Sequence, residues 1–465
     1  MSIHARATIL KNFSWSVFAE LCFKALSFLF FIVFSRRLGQ ESLGIYTYLF
    51  SVLALANLFW DMGIGTYFNR KWVSEPNDFK KDVQLITGTH IVLVGISFLV
   101  LLPYLFIYER YLFISFILVT AIYFVDLFKS VPMLYFLSQN RFDKVYNINF
   151  PEKLFSYGGG VIVLFLGYSL QSVLVCFLIG KFIALVVGNI YKFSLFLPVF
   201  DKKKMFGLVK SGFSLFLISV FGTMYFRIDS VMIKYFQNYE VLGLYSAAYR
   251  LLDLSAVVSA IIGTSVFPIL VSFQNSDQNR LSNLISKNVK YLSISSVFII
   301  LTLILSRREI IYFLYGDKFK ISAHLLGFLA PTIFFMFLNT VFVNQLIANH
   351  QEKYLLKILI VLAFFNFLIN LYLIPTYGPA GAAVSTLICE LLSCIALYRQ
   401  VKISFSMSWI IWIIVAAVIS SVIYVFLKNY MYWMLAVGFS SMVYFVVLYF
   451  VKVVDLNDFK ILRKN

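Results

Sequence analysis

Thirteen ionisable residues stand inside long apolar runs of this chain. Seven are acids (Glu20, Asp61, Asp126, Glu152, Asp229, Asp253, Glu390) and six are bases (Lys24, Lys129, Lys153, Lys181, Arg227, Arg250). Inside a bilayer each costs about 2.5–3.5 kcal/mol on insertion scales, so such residues pair, line water or meet a polar ligand. The near balance of signs predicts pairing in a wet interior. Spacing agrees: Glu20 and Lys24 are i,i+4, whereas Asp126/Lys129 and Arg250/Asp253 are i,i+3, and each pair shares one helix face. Lys181 has no acid one turn away, so it needs a partner across a cleft or a ligand. Arg227 is similar, because Asp229 at i+2 points elsewhere. These two lead as contacts for an anion, followed by Lys24 and Arg250. Guanidinium groups grip phosphate through two parallel hydrogen bonds. Glu20, Asp126, Lys129, Asp229, Asp253 and Glu390 are charge-pair candidates, and the acids among them are candidates for H⁺ or Na⁺ coupling. Glu152 and Lys153 sit near a membrane face and are expected to snorkel. Asp61 reads as a helix-end residue. His90 reads either as a proton relay or as a hydrogen-bonded core histidine.

The elements that position these groups follow from composition. Of 465 residues, 61% are hydrophobic and 13% charged, with 39 Lys+Arg against 21 Asp+Glu for a formal net charge of +18. Soluble domains carry about 45–50% apolar and about 25% charged residues, so an ordinary soluble enzyme and a disordered chain are both excluded. Runs of about 20 apolar residues mark spanning helices. They predict an all-α integral membrane protein with about 14 spans: 13–34, 43–66, 83–103, 111–138, 148–167, 170–192, 211–236, 243–271, 290–306, 324–346, 355–374, 378–398, 407–427 and 430–451. The runs are too long and continuous for barrel strands. No small-residue cleavage site follows the first apolar run, so it reads as retained. Lys24 and Lys181 fall about eleven residues into their spans, roughly 16 Å deep.

Lys and Arg crowd into the N-terminus, the C-terminus and alternate loops, which predicts that both termini are cytoplasmic. The net +18 is read as anchoring against anionic lipid, with no nucleic-acid partner. Segment 193–210 mixes apolar residues with Lys202, Lys203, Lys204 and Lys210 and is expected to form an interfacial helix. Cys22, Cys176, Cys389 and Cys394 all lie in apolar runs and show neither a disulfide framework nor zinc spacing. No metal or other cofactor is expected.

An internal repeat organises the chain. At offset 199, Glu41-Ser42-Leu43-Gly44-Ile45-Tyr46 matches Glu240-Val241-Leu242-Gly243-Leu244-Tyr245, and Asp78 matches Asp277. At offset 209, Asn140, Asp143 and Lys144 match Asn349, Glu352 and Lys353. At offset 211, Gly167 matches Gly378. One six-helix unit used twice in the same orientation is a parallel repeat about an axis along the membrane normal. The expected domains are a six-helix bundle over 1–192, a linker over 193–210, a second six-helix bundle over 211–400, and an extra helix pair with a cytoplasmic tail over 401–465. Lys181 and Glu390 then occupy nearly matching places in the two copies. Such repeats suit alternating access. Pro132, Pro151, Pro268, Pro331 and Gly158-Gly159-Gly160 are candidate bending points.

There is no phosphate-binding Gly-Lys loop, dinucleotide turn, HExxH or CxxC pair. No extramembrane segment is long enough for a soluble catalytic domain, so an enzyme is not expected. Three stretches resemble the Wzx-type O-antigen flippases, the polysaccharide-transporter branch of the multidrug/oligosaccharidyl-lipid/polysaccharide superfamily. They are Phe34-Ser35-Arg36-Arg37-Leu38-Gly39 with Leu43-Gly44-Ile45-Tyr46; Arg227-Ile228-Asp229-Ser230-Val231-Met232 running to Gly243-Leu244-Tyr245-Ser246-Ala247-Ala248; and Asn370-Leu371-Tyr372-Leu373-Ile374-Pro375 with Tyr377-Gly378-Pro379-Ala380-Gly381-Ala382-Ala383. The resemblance covers nearly the whole chain. It implies transfer of an undecaprenyl-diphosphate-linked oligosaccharide across a bacterial inner membrane, through a cationic cleft. It also implies membrane lipids as surroundings and a polysaccharide polymerase with its chain-length regulator as partners. A multidrug extruder or lipid II flippase of the same superfamily, and a membrane glycan polymerase, are the competing readings.

Overall fold

The computed structural model describes residues 3–74, 79–108, 110–192, 196–273, 278–401 and 408–454, without the side chains of 3–20, 74, 100–102 and 104–108. Every long element among the described residues is a helix. The first compact unit runs from Met1 to Gly243 and the second from Leu244 to Asn465.

In the first unit, α1 (Ile3–Asp61) is broken in its middle at Gly39, whose φ of 81° and ψ of −175° leave the helical region. Its apolar part, Leu21–Asp61, has 41 residues, about twice what a bilayer needs, so the Gly39 break divides the expected spans 13–34 and 43–66. There follow α2 (Ile64–Ser74), α3 (Phe79–Tyr108), α4 (Phe113–Ser138) and α5 (Phe142–Lys153). A π-helical segment (Leu154–Gly158) leads into α6 (Gly159–Phe165), and α7 (Leu170–Tyr191) and α8 (Lys202–Phe236) complete the unit. Pro151 brings no N–H to the helical ladder, and the next turn widens until the Gly159 N–H reaches the Leu154 carbonyl. The expected interfacial helix over 193–210 is not a separate element. Residues 193–195 lie outside the described ones, 196–201 are extended, and α8 starts at Lys202 and runs on through the next span. Pro198 opposes helix, and the Asp201 carboxylate accepts hydrogen bonds from the Lys203 and Lys204 N–H groups at 3.1 Å, a standard start signal. Those backbone donors hold the Asp201 carboxyl below its usual range.

The second unit contains α9 (Tyr239–Phe273, whose first turn belongs to unit one), α10 (Gln278–Leu305), α11 (Arg307–Tyr315), α12 (Ser322–Leu329) and α13 (Thr332–Ala348). It ends with α14 (Glu352–Tyr377), α15 (Pro379–Val401), α16 (Ser408–Leu427) and α17 (Trp433–Phe450). At Pro331 the chain bends by 41° between α12 and α13, as proline in a span predicts. Pro132 and Pro268 lie within continuous helices. The last two helices pack on α10: the Tyr444 hydroxyl donates to the Ile294 carbonyl at 3.1 Å and Ser306 Oγ donates to the Tyr424 hydroxyl at 2.9 Å.

Eleven helices among the described residues are long and apolar enough to cross a membrane, or twelve with the bent pair as one span. The expected fourteen is larger because the two expected spans on either side of the Gly39 break count here as one helix. The run 148–167 adds to the difference, being divided among α5, the π segment and α6. Exposed apolar stripes at helical spacing, such as Ile411, Ile414, Val418, Val422 and Val425 on α16, face outward. A stripe of that kind is stable against acyl chains and not against water. The protein is a multi-pass membrane protein.

Two local structures express the repeat. After α4, Asn140 adopts φ 55°, and after α13, His350 adopts φ 56°. Both close the same helix-ending motif: Arg141 N–H donates to the Phe136 carbonyl, and Gln351 N–H to the Leu346 carbonyl, each at 2.9 Å. The backbone register here is 210, one residue from the 209 that side-chain matching suggests. The second is a helix crossing inside the first unit. A Cβ on Gly44 would strike the Tyr239 carbonyl, and one on Gly243 would strike the Gln40 carbonyl. Both pairs are related by the offset of 199, so the contact is reciprocal. Gln40 Nε2 also donates to Glu240 Oε1.

Gly44→Ala puts a methyl group into backbone, where overpacking costs about 1–3 kcal/mol or more. Its melting temperature in detergent should fall below wild type. Gly222→Ala, on α8 with nothing within 4 Å of the added carbon, should match or exceed wild type because alanine favours helix. Equal melting of the two variants would contradict the crossing.

Candidate functional site

The charges of the first unit gather where α4, α5 and α7 meet. Apart from Asp126, Lys129 and Lys181, α4 and α7 carry no charged residue, and these three meet Glu152 and Lys153 of α5. Glu152 is the hub, with a side chain 1% exposed. Its carboxylate meets Lys129 at 2.8 Å, Lys153 at 2.9 Å and Lys181 at 3.0 Å. Asp126 bridges Lys181 at 2.6 Å and Lys129 at 3.2 Å. Two acids thus hold three bases, and the cluster keeps one surplus positive charge. Lys181, Lys153 and Asp126 retain 16, 28 and 34% side-chain exposure, so one side of the cluster is open.

Two expectations are corrected here. Glu152 does not snorkel: its place just before the π turn aims the carboxylate into the bundle, where three ammonium groups compensate its burial. Lys181 finds its partners on α4 and α5 of its own unit, because these neighbouring helices supply the acids its own helix lacks. The i,i+3 pair Asp126/Lys129 forms as spacing predicts, but as one edge of this larger network.

The site extends towards α8. Tyr123, one turn before Asp126, lies within electrostatic reach of Arg227, Asp126 and Lys181, and its hydroxyl donates to the Phe50 carbonyl at 3.2 Å. Arg227 is exposed and has no ion pair with another described residue. The structure therefore brings the two leading anion candidates, Lys181 and Arg227, around one tyrosine. The rings of Tyr46 and Phe50, with centroids 4.5 Å apart, continue the wall. Gly180 allows the close approach of α7, since a Cβ there would press on the Ser156 hydroxyl and the Glu152 carbonyl.

The other expected residues are distributed more widely. Lys24 is exposed on α1, and Glu20 lies outside the described side chains. Asp229 is buried on α8, and its Oδ1 accepts from the Ser230 N–H at 2.7 Å. In the second unit, Arg250 lies within electrostatic reach of Tyr315, and Asp253 is exposed one turn further. Glu390 is buried on α15 in an amide-rich cluster that charge counting does not reveal. Asn339 Nδ2 donates to Glu390 Oε2 at 2.6 Å, Asn370 Nδ2 donates to Asn366 Oδ1 at 2.9 Å, and Asn366 Nδ2 meets Cys389 Sγ at 3.5 Å. Asn339 Oδ1, Asn370 Oδ1 and Ser385 Oγ remain buried without a hydrogen-bond partner. The signal for this cluster was Asn366 and Asn370 at i,i+4 in an otherwise apolar run. Among the described residues no group of three or more His, Cys, Asp or Glu is placed to hold a metal ion.

The profile of the family described as polysaccharide biosynthesis protein matches residues 9–274, more than half of the chain. The chain belongs to that family. Among family-like sequences, a probable low-salt glycan biosynthesis flippase of Haloferax volcanii is 22% identical over 412 residues, covering 85% of this chain and 84% of its own length. A second probable flippase of that organism is 23% identical over 179 residues, covering 38% of this chain and 37% of its own. Among solved structures, a lipid II flippase in its inward closed conformation has a TM-score of 0.77 at 14% identity, over 94% of this chain and 99% of that one. An inward-facing multidrug resistance MATE family transporter of the MOP superfamily has a TM-score of 0.61 at 12% identity, over 82% and 94%. This family member therefore has the MOP transporter fold.

Glu152→Gln leaves three lysines around a single acid. Removing one partner of a buried ion network costs about 3–5 kcal/mol, so this variant should melt far below wild type. Lys153→Ala removes the surplus base and should cost much less. The order of the two melting temperatures checks the assignment of Glu152 as hub.

Proposed function

We propose that this protein is a flippase for an undecaprenyl-diphosphate-linked oligosaccharide, carrying it from the cytoplasmic to the periplasmic leaflet of a bacterial inner membrane by alternating access. Both termini are cytoplasmic in this reading, as the Lys/Arg distribution favours. The observation that carries it is the Glu152 cluster with its one surplus positive charge, whose Lys181 lies with the exposed Arg227 within electrostatic reach of Tyr123. A diphosphate supplies the missing negative charge, and Arg227 supplies a planar fork to hold it. The half-exposed rings of Tyr46, Phe50 and Tyr123 give the attached sugars flat apolar faces to pass. Lys24 and Arg250 are further candidate contacts for the anionic groups of the substrate, and the polyprenyl tail stays in lipid. The polysaccharide polymerase and chain-length regulator take up the flipped unit.

Ion coupling is assigned to acids held by neutral amides. Glu390 accepts from the Asn339 amide, and the buried side-chain oxygens of Asn339 and Asn370 in the same cluster have no hydrogen-bond partner, acceptors of the kind that take up Na⁺ or H⁺. Asp229 and Asp253 are further members of the coupling set.

In a deletion strain, Arg227→Ala should restore less than one tenth of wild-type surface glycan, about 1.4 kcal/mol or more of lost binding, with normal protein in the membrane. Single lipid-linked units should then accumulate on the cytoplasmic leaflet. Single units accumulating outside would indicate a polymerase instead, and wild-type surface glycan would remove Arg227 from the path. Lys181→Ala should behave likewise, with added loss of stability through the Glu152 cluster.

A further inference from the structure

His90 is 2% exposed in the middle of α3, and neither ring nitrogen has a hydrogen-bond partner. A buried, wholly unpartnered imidazole is rare and calls for an occupant. One group faces it: Asp61 Oδ1 lies 3.6 Å from Nε2, too far for a hydrogen bond and close enough for an ion pair once the ring is charged. We propose that His90 and Asp61 form a proton-binding site at the elbow between α1 and α2, whose occupancy sets the position of α8.

Asp61 is the last residue of α1. The chain then turns through Met62 at φ 47° and Gly63 at φ 74°, and Asp61 Oδ1 accepts from the Gly65 N–H at 3.0 Å to open α2. One carboxylate thus holds the elbow and faces the histidine. The elbow in turn abuts α8: a Cβ on Gly63 would strike the Gly212 carbonyl, and one on Gly212 would press on the Met62 carbonyl. Two residues before His90, at Gly88, α3 touches the Val199 carbonyl of the extended stretch that leads into α8. A proton on His90 draws Asp61 towards α3 and changes the elbow on which α8 rests. Asp61 is 29% exposed, which gives the proton a way in.

The other charges around α3 are engaged elsewhere or distant. On α2, Lys71 bridges Asp82 of α3 at 2.8 Å, and Arg70 is exposed. On α3 itself, Lys80 lies over the Phe196 ring and Lys81 has interactions of its own. On α4, Asp126 and Lys129 belong to the Glu152 cluster. On α8, Lys202, Lys203, Lys204 and Lys210 are exposed, Lys234 lies over the Tyr48 ring, and Arg227 and Asp229 are described above. Lys24, Arg36, Arg37 and Glu41 of α1 and the neighbouring Arg110 are each twenty or more residues along the chain from the pair.

The coupling half of the proposal rests on the flippase reading; the proton site does not. The test is ¹⁵N NMR of histidine-labelled protein, with His4, His324 and His350 assigned by single substitution. As the solution is acidified, the His90 ring should pass from neutral to doubly protonated. Asp61→Asn should move that transition. Should this variant not fold, Asp61→Glu, which keeps the charge and shifts the carboxylate, should move it too. A ring that stays neutral throughout, or a transition indifferent to both Asp61 variants, overturns the site. In reconstituted vesicles, His90→Gln should flatten the pH dependence of flipping that wild type shows. A variant profile identical to wild type overturns the coupling.

Discussion

A charge inside a bilayer must be answered by another charge or by a ligand, and the first unit is arranged around that demand. Glu152 answers three lysines and Asp126 answers two of the same three. The cluster needs α4, α5 and α7 at short range, which Gly180 allows by carrying no side chain where α7 meets the π turn. The same arithmetic leaves it one negative charge short. Packing and rigidity therefore arise from one set of atoms, and in the proposed function the attraction for an anion does too. Such networks are costly to assemble and seldom the cheapest way to stability; the open edge at Lys181 and Lys153 gives this one a use.

Backbone close approach is the second organising feature. The Gly44/Gly243 crossing and the Gly63/Gly212 contact each place main chain on main chain. In lipid, where apolar side chains gain little by leaving one apolar medium for another, small residues at crossings let dispersion contacts accumulate. Both contacts lie beside breaks in helical geometry, at Gly39 and at Met62-Gly63. Rigid helices joined at such points can change angle without repacking their interiors.

The fold was legible because lipid imposes one rule along the whole chain: long apolar runs mean helices, and the number of residues needed to cross is set by thickness. Span counting was less certain where the chain departs from straight helices. Gly39 breaks α1 without a loop between the two expected spans, and Pro151 does not end α5 but widens its next turn. Asp126/Lys129 was readable from spacing because the pair lies on one helix. The partners of Lys181 were not, since Asp126 and Glu152 approach from two other helices and only tertiary packing selects them. The Asn339/Asn366/Asn370 cluster escaped charge counting because neutral amides carry no formal charge, although burial makes them equally demanding. The repeat was visible in side chains at offset 199, but its register near 140 and 350 is fixed by two backbone turns with positive φ, a property that side-chain matching misses by one residue.

The central claim is that the surplus positive charge of the Glu152 cluster, together with Arg227, recognises a diphosphate. Native mass spectrometry of the purified protein with undecaprenyl diphosphate and with uncharged undecaprenol tests it most directly. Preferential binding of the diphosphate lipid, weakened as ammonium acetate is raised, is the predicted result. Equal retention of the two lipids would mean that the tail alone is bound, and would contradict the account.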